Sequence, residues 1–571
     1  MEALPADTTR TPSVEEDPAL ALSPRAKLEI LGAVLLGLLL GALDQTIVGT
    51  ALPRIVTELG GQSVYVWTFT IYLLTSTITV PFYGKLSDLY GRRPLLMIGI
   101  VIFLIGSALS GLSQDIYQLI AFRGLQGIGA GALFPISLAV IGDLYTPAER
   151  GKYQGLFGAV FGLSAIVGPL AGGWITENLS WHWIFYINLP IGLIALAIIW
   201  RLLPNVRRAG ATRDLDFLGA GVFTVAISAL LVGLTNAQFG EWTELHVGGL
   251  VALGLVLFGA FLLVESRAKE PIVPLDLWRN RTYASSIVAT FLVSFGFFGA
   301  VVFLPQWFQF VKGATPTESG LQTLALLAGL IISSVVAGQL VSRTGRYKLI
   351  VLTGLATMAV GLFLMSNLKA DTELPVLWLW MFIAGLGIGP TLSVFTIIIQ
   401  NAVPFEKLGV ATSNLTFFRQ VGGSVGLALL GTVLGQRLTQ ELPGRLIEAG
   451  VPAAFVDGFA GAAGGSEQLV VVGRDLGATI LAAVPASARE FVEPLIPDIV
   501  LGIHQAFTSA LTSTFLIGVV TTVAAFVAAL AMRELTLRST MGRSASAASD
   551  AQPEVQRGEG TLRPRTAPAQ D

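Results

Sequence analysis

The chain contains no cysteine in 571 residues. A disulfide scaffold, a cysteine nucleophile and a thiolate-held metal are therefore excluded. Histidine is almost as scarce. His182, His246 and His504 are too few for an imidazole-rich metal centre. Asp, Glu, Lys and Arg make up only 13% of the chain, against about 25% in soluble proteins. A soluble fold could not keep its surface wet on that supply. The formal net charge of −2 leaves no basic footprint for nucleic acid. No Walker-type phosphate loop is present, so ATP is not the expected energy source. No span carries a nucleophile–base pair, and the sequence does not read as an enzyme.

What the chain has instead is apolar length: 53% hydrophobic residues and a mean hydropathy of +0.72. About fourteen apolar stretches of roughly twenty residues each account for about half of it. The ten-residue alternation of an outer-membrane barrel is missing. The expected fold is an all-α polytopic membrane protein with fourteen transmembrane helices.

Composition sets the expected divisions. Residues 1–27 read as a disordered tail with the acidic run Glu15, Glu16 and Asp17, not as a signal peptide. A six-helix bundle over 28–202 is followed by a linker with two extra spans over 203–282. Five more helices over 283–435 precede a long loop over 436–502, which holds the flexible run Ala460–Gly465 and the strand-like Leu469–Val472. A last helix at 503–533 leads into a second disordered tail at 534–571. Lys and Arg concentrate in alternate short loops, at Lys85, Arg92, Arg93, Arg150, Lys152, Arg207, Arg208, Arg343, Arg346, Lys348 and Lys407. The opposite loops hold little beyond Arg54, Lys312 and Lys369. The basic side, with both tails, is expected to be cytoplasmic and the long loop external.

An internal repeat organises the spans. Gly84 and Gly91 bracket a loop in which Arg92 follows the second glycine, and Gly338, Gly345 and Arg346 repeat that spacing. Pro147, Glu149 and Arg150 are echoed by Pro404, Glu406 and Lys407. Gly127, Gly129 and Gly131 are echoed more weakly by Gly385, Gly387 and Gly389. Two related six-span halves, with the extra spans between them, are the arrangement on which alternating-access carriers are built.

The loop Gly84-Lys85-Leu86-Ser87-Asp88-Leu89-Tyr90-Gly91-Arg92-Arg93 is the sharpest motif. Asp88 and Arg92 stand four apart, which permits an ion pair if the turn is helical. Asp143 offers a second carboxylate to Arg92 or Arg93, and such a cluster can latch one end of the protein. The motif resembles the loop signature of the major facilitator superfamily. Gly158, Gly162, Gly168, Pro169, Gly172 and Gly173 in the fifth span resemble the antiporter signature of its drug:proton antiporter branches. Arg123 with Gly124, Gln126, Gly127, Gly129 and Gly131 is similar to the family's membrane-embedded arginine motif. Leu43-Asp44-Gln45-Thr46 and Trp181-His182-Trp183 through Asn188 and Pro190 resemble the fourteen-span branch. The resemblance covers about residues 28–533. It implies a fold of two six-helix bundles plus two extra helices, and multidrug efflux coupled to protons. In the second half Ser342 stands where the loop acid would be, so the charge latch is expected in the first half only.

Three charges fall deep within spans: Asp44, Arg123 and Arg419. Such groups are costly and by default functional or paired. At about 1.5 Å per residue, Asp44 and Arg123 reach a similar depth and can meet. Burial favours the neutral carboxylic acid, and a neighbouring guanidinium favours the carboxylate. A carboxyl under both pulls is suited to exchanging a proton, with Asp44 and Arg123 as the coupling pair. The competing expectation is a static pair that only orders the fold. Fifth-span glycines allow close helix packing, and Pro169 removes a backbone donor. Candidate pocket residues are Tyr72, Gln126, Phe161, Phe295, Gln306, Trp307, Asn414, Phe418, Arg419 and Gln420. The histidines lie near the outer face and read as interfacial.

The expected function is a proton-coupled antiporter exporting amphiphilic small molecules such as drugs, with no cofactor beyond the proton gradient. Its expected partners are those substrates, protons and membrane lipids, with the protein a monomer in the cell membrane. The excess of deep arginine speaks against a strictly cationic substrate. A lipid or siderophore exporter of the same fold, or a non-transporting receptor or scaffold, are the alternatives.

Overall fold

A computed structural model describes residues 22–59, 64, 66–205, 216–237, 240–453, 456, 476–483 and 489–537. Most of both tails, Ala460–Gly465 and Leu469–Val472 lie outside these residues. Among the described residues every regular element is a helix. The first half comprises α1 (Pro24–Leu59), α2 (Val66–Tyr90), α3 (Arg92–Ser110), α4 (Ile116–Leu144), α5 (Pro147–Asn178), the single turn α6 (Trp183–Tyr186) and α7 (Asn188–Leu202). The extra pair is α8 (Phe217–Asn236) and α9 (Leu250–Glu265). The second half comprises α10 (Arg281–Lys312), α11 (Pro316–Gln322), α12 (Leu324–Thr344), α13 (Tyr347–Met365), α14 (Leu374–Ala402) and α15 (Leu408–Glu448). It is completed by α16 (Leu476–Ala483), α17 (Arg489–Val492) and α18 (Ile496–Leu530).

Thirteen described segments are long and apolar enough to cross a membrane. The fourteenth full-length helix is α2, whose Thr68, Thr70, Thr75, Thr77 and Thr79 dilute its apolar character. Thr68 and Thr77 are buried. Thr75 donates to the Gly124 carbonyl of α4 at 2.9 Å.

Several limits differ from those read in the sequence. The first helix starts at Pro24, inside the stretch expected to be tail, and runs to Leu59. The sixth span is interrupted at Ile187. The helix expected to end near 434 continues to Glu448, and the last begins at Ile496 rather than 503. Leu438, Leu446, Ile499 and Ile503 explain this extension. They are buried, so the two helices stay paired beyond the membrane-crossing stretch and shorten the external loop.

Local sequence fixes the helix ends. Asp115 caps α4 by accepting from the Gln118 amide at 2.9 Å, and Asn280 caps α10 by accepting from Thr282 at 3.0 Å. Thr146 and Glu149 form a capping box on α5, and Thr315 and Glu318 form one on α11. Gly91 (φ 98°) and Gly345 (φ 70°) make the two equivalent turns in left-handed conformations that favour glycine.

The repeat is visible in packing. Between helices in lipid there is little hydrophobic drive, so close approach at small residues carries much of the association. Gly127 and Gly131 of α4 face α2, while Gly129 faces α3. Gly385 and Gly389 of α14 face α12, while Gly387 faces α13. The loop glycines cross between halves. Gly84 of α2 packs on Gly409 and Ser413 of α15, and Gly338 of α12 packs on Gly151 of α5. Each half has its own apolar core, and the extra pair covers the α2–α15 seam through Phe223, Phe261, Leu74 and Phe417.

Candidate functional site

The structure brings Asp44 of α1 and Arg123 of α4 into contact, with Arg123 Nη1 2.5 Å from Asp44 Oδ2. Neither side chain is exposed at all. A buried ion pair must recover two desolvation costs, and it does so only when further hydrogen bonds satisfy it. Here they are present. Gln126 Nε2 donates to Asp44 Oδ1 at 2.8 Å, and Asn188 Nδ2 donates to the same oxygen at 3.0 Å. Arg123 also donates to Gln126 Oε1 at 2.8 Å and to the Thr68 carbonyl at 3.2 Å. Its guanidinium lies over the Tyr72 ring, 4.2 Å from the centroid, a cation–π arrangement. Arg123 Nη2 has no hydrogen-bond partner. In this conformation the cluster is closed to water.

The sequence reading missed Asn188 as a member. It is the first residue of α7, directly after the break at Ile187. That break leaves the Phe185 carbonyl to accept from Ser107 Oγ at 2.8 Å, and Asn188 Nδ2 bonds the same Ser107 at 3.0 Å. Asn188 stood within the quoted Trp181–Pro190 motif. A polar amide inside an otherwise apolar span was the available signal.

A second cluster lies where the halves meet, at the end carrying the basic loops. Arg92 Nη1 is 2.5 Å from Asp88 Oδ1, and Arg92 Nε is 2.9 Å from Asp143 Oδ2. Asp88 also accepts the Gly409 amide at 3.0 Å and the Val410 amide at 2.8 Å. These are unpaired donors of the first turn of α15, so a first-half carboxylate caps a second-half helix and meets its positive dipole end. Arg93 is not part of the cluster, contrary to its expected place there. It bonds the Trp200 carbonyl at the end of α7. Other contacts reinforce this seam: Lys85 with Glu270 (2.5 Å), Lys407 with Asp276 (2.5 Å), and Gln154 Nε2 donating to Gln400 Oε1 (2.7 Å).

The fifth-span glycines pack α5 between α12 of the second half and α1, which carries Asp44. Gly158 and Gly162 face Ser334 and Ile331 of α12, and Gly168 faces Thr46 of α1. Thr46 Oγ1 lies 2.9 Å from the Ser164 carbonyl, two residues after Asp44. Pro169 and Gly173 approach Gly320 and Thr317, and the Gly172 carbonyl accepts from Thr176.

The ten candidate pocket residues do not line one cavity. Tyr72 and Gln126 belong to the charge cluster. Phe161 stacks on Phe134 at 5.1 Å. Trp307 is fully buried in the second-half core, its indole donating to Thr508 Oγ1 at 2.9 Å. Phe295 packs on Phe291 and Gly426, and Asn414 donates to the Tyr283 hydroxyl at 3.0 Å. Phe418 meets Trp278 edge-on. Gln306, Arg419 and Gln420 are partly buried. The aromatic and amide signal failed because such residues also build cores.

Of the histidines, His182 stacks on Trp181, and partial burial lowers its proton affinity below the usual imidazole range. No group of three metal-binding side chains occurs among the described residues.

Comparison with known proteins gives a consistent picture. The family profile described as Major Facilitator Superfamily matches residues 34–427. The chain is 42% identical to the Multidrug transporter protein MdtP of Bacillus subtilis over 421 residues, covering 73% of this chain and 77% of that one. It is 34% identical to Multidrug resistance protein 3 of the same organism over 526 residues, 92% and 98% of the two chains. Among solved structures, the human organic anion transporter MFSD10 superposes with a TM-score of 0.54 at 15% identity, covering 88% of this chain and 100% of that one. At that identity the likeness concerns the fold alone.

Proposed function

The chain belongs to the major facilitator superfamily, and from that premise we propose that it is a proton-coupled exporter of amphiphilic small molecules, drugs among them, working by alternating access. It is a multi-pass membrane protein of the transporter type. The names of its bacterial relatives, a multidrug transporter and a multidrug resistance protein, support the export of drugs. Positive-inside asymmetry puts the basic end and both tails in the cytoplasm of a cell-membrane protein.

The observation that carries the proton-coupled reading is the water-free cluster of Asp44, Arg123, Gln126 and Asn188, set in one half and wired to the seam. A proton placed on Asp44 removes the charge that holds Arg123. The pair's attraction, strong in this dry setting, is lost and α1 is freed from α4 and α7. Thr46 and Gly168 link α1 to α5, and Gly151, Gly155, Gly158 and Gly162 of α5 pack on α12. Loading Asp44 thus bears on the contact along which the halves must slide. Outside, where protons are abundant, Asp44 takes one as substrate leaves. At the cytoplasmic face it gives the proton up and substrate binds again. The Asp88–Arg92–Asp143 cluster and the α15 N-terminus hold the cytoplasmic end shut for half of the cycle. No cofactor is needed, because the proton gradient supplies the work, and one chain contains the whole device.

The test is transport in proteoliposomes under an imposed pH gradient, screened over amphiphilic compounds. Gradient-driven movement of at least one compound, with proton flux in the opposite direction, is expected. Equal transport with and without the gradient would reject proton coupling.

A further inference from the structure

Asp44 and Arg123 neutralise each other, which leaves Arg419 as a deep charge without a counterpart. It lies eleven residues after Leu408, the start of α15, or about 17 Å into the membrane. Among the described residues it makes no ion pair, and its Nη2 atom is shielded from solvent with no hydrogen-bond partner. The side chain borders a small cavity between α10, α14 and α15, whose lining includes Thr290, Ser294, Thr391, Phe297 and Phe395. The Thr290 hydroxyl is also enclosed without a partner, as is Oε1 of the adjacent Gln420.

An unpaired guanidinium at this depth is costly, and such charges persist where function uses them. A lipid phosphate does not relieve it. Headgroups lie about 15 Å from the centre of a bilayer about 30 Å thick, and Thr290, Ser294 and Thr391 are buried inside the bundle rather than turned to lipid. The charge is therefore met by something the transport route itself admits. A guanidinium presents a planar fork of donors suited to the paired oxygens of a carboxylate, sulfonate or phosphonate. The hydroxyl of Thr290 adds a further donor, and the two phenylalanines offer apolar faces for the body behind such a head.

We propose that Arg419 is the head-group site for an anionic amphiphile, so that the preferred cargo of this exporter carries an acidic group. This inference rests on the export reading above and specifies its substrate class.

The test uses three permanently charged or neutral dyes of one shape: pyrene-1-sulfonate, its sulfonamide, and a pyrenylmethyl trimethylammonium. Binding to the full-length protein is measured by fluorescence anisotropy in zwitterionic phosphatidylcholine nanodiscs at neutral pH. The sulfonate is expected to bind tightest. Arg419→Gln is expected to weaken it by at least about tenfold while leaving the sulfonamide within about twofold, and Arg419→Lys to restore part of the loss. Equal binding of the cationic dye by the native protein, or an equal loss of all three dyes in Arg419→Gln, would overturn the proposal. If Arg419→Gln does not fold, competition in the native protein decides. Displacement of the sulfonate dye by an alkyl sulfonate but not by an alkyl trimethylammonium supports the site, and equal displacement by both overturns it. The binding assay does not depend on export. Arg419-dependent sulfonate binding by a protein that moves no dye under a pH gradient would sustain this site and reject the exporter. Export of the cationic dye alone would do the reverse.

Discussion

Replacing Asp88 by Asn perturbs the seam at a single charge. In the closed conformation that carboxylate pairs with Arg92 at 2.5 Å and accepts the Gly409 and Val410 amides at 3.0 and 2.8 Å. Asn keeps an acceptor of the same shape and loses the charge. A charge at a partly buried helix terminus is worth up to about 2 kcal/mol, and a hydrogen bond to a charged group about 1.5–3 kcal/mol. Arg92 retains Asp143 at 2.9 Å, so the loss is not the full value of both. A net shift of about 2 kcal/mol toward the open cytoplasmic end is expected, or about thirtyfold in the equilibrium. The absence of native cysteine makes this measurable. Ser413 is fully buried in the closed seam, against Gly84. In a Ser413→Cys background, a membrane-impermeant maleimide labels the thiol only when the seam opens. Asp88→Asn is expected to raise the labelling rate by about thirtyfold, up to saturation. A rate within about twofold of the parent would show that the carboxylate does not hold the halves together, and the latch argument would fail.

Two further perturbations probe the same account. At Gly338 an added Cβ would run into the Gly151 backbone carbonyl, and no flexible side chain is there to yield. Gly338→Val is therefore expected to disfavour the closed seam by about 1–3 kcal/mol, to speed labelling at Ser413→Cys and to slow transport; unchanged labelling and transport would show that the contact does not govern closure. Asn188→Ala removes the bonds to Asp44 and Ser107, at 3.0 Å each. It is expected to cost about 1–3 kcal/mol of stability, read as a lower melting temperature in detergent, and an unshifted melting curve would place Asn188 outside the cluster.

Much of this is legible in the sequence, and the reasons are physical. Deep charges are few in a membrane chain, so Asp44 and Arg123 stood out, and counting residues from the span ends put them at one depth. Gly84 and Gly338 are legible as equivalent positions of a repeat, but their packing across to the other half, on Gly409 and Gly151, is not. Asp88 was readable as an acid near Arg92, but its grip on Gly409 and Val410 was not. That bond joins positions more than 300 residues apart and uses backbone amides, which carry no sequence signature. Arg93 and Trp307 show the opposite failure. One basic residue next to another, and one indole in a span, look alike whether they serve a site or satisfy a neighbouring helix. Helix ends beyond the apolar stretch, as at Glu448, depend on partners such as Ile499 that the local hydropathy does not reveal.

The most direct test of the central claim is the rate of amphiphile export by Asp44→Asn in proteoliposomes, with and without an imposed pH gradient. Asn keeps the shape of the Asp44 side chain and fixes it in an uncharged state. The account predicts a variant that inserts and remains monodisperse, yet whose transport no longer responds to the gradient. Gradient-driven export at the native rate by that variant would contradict it.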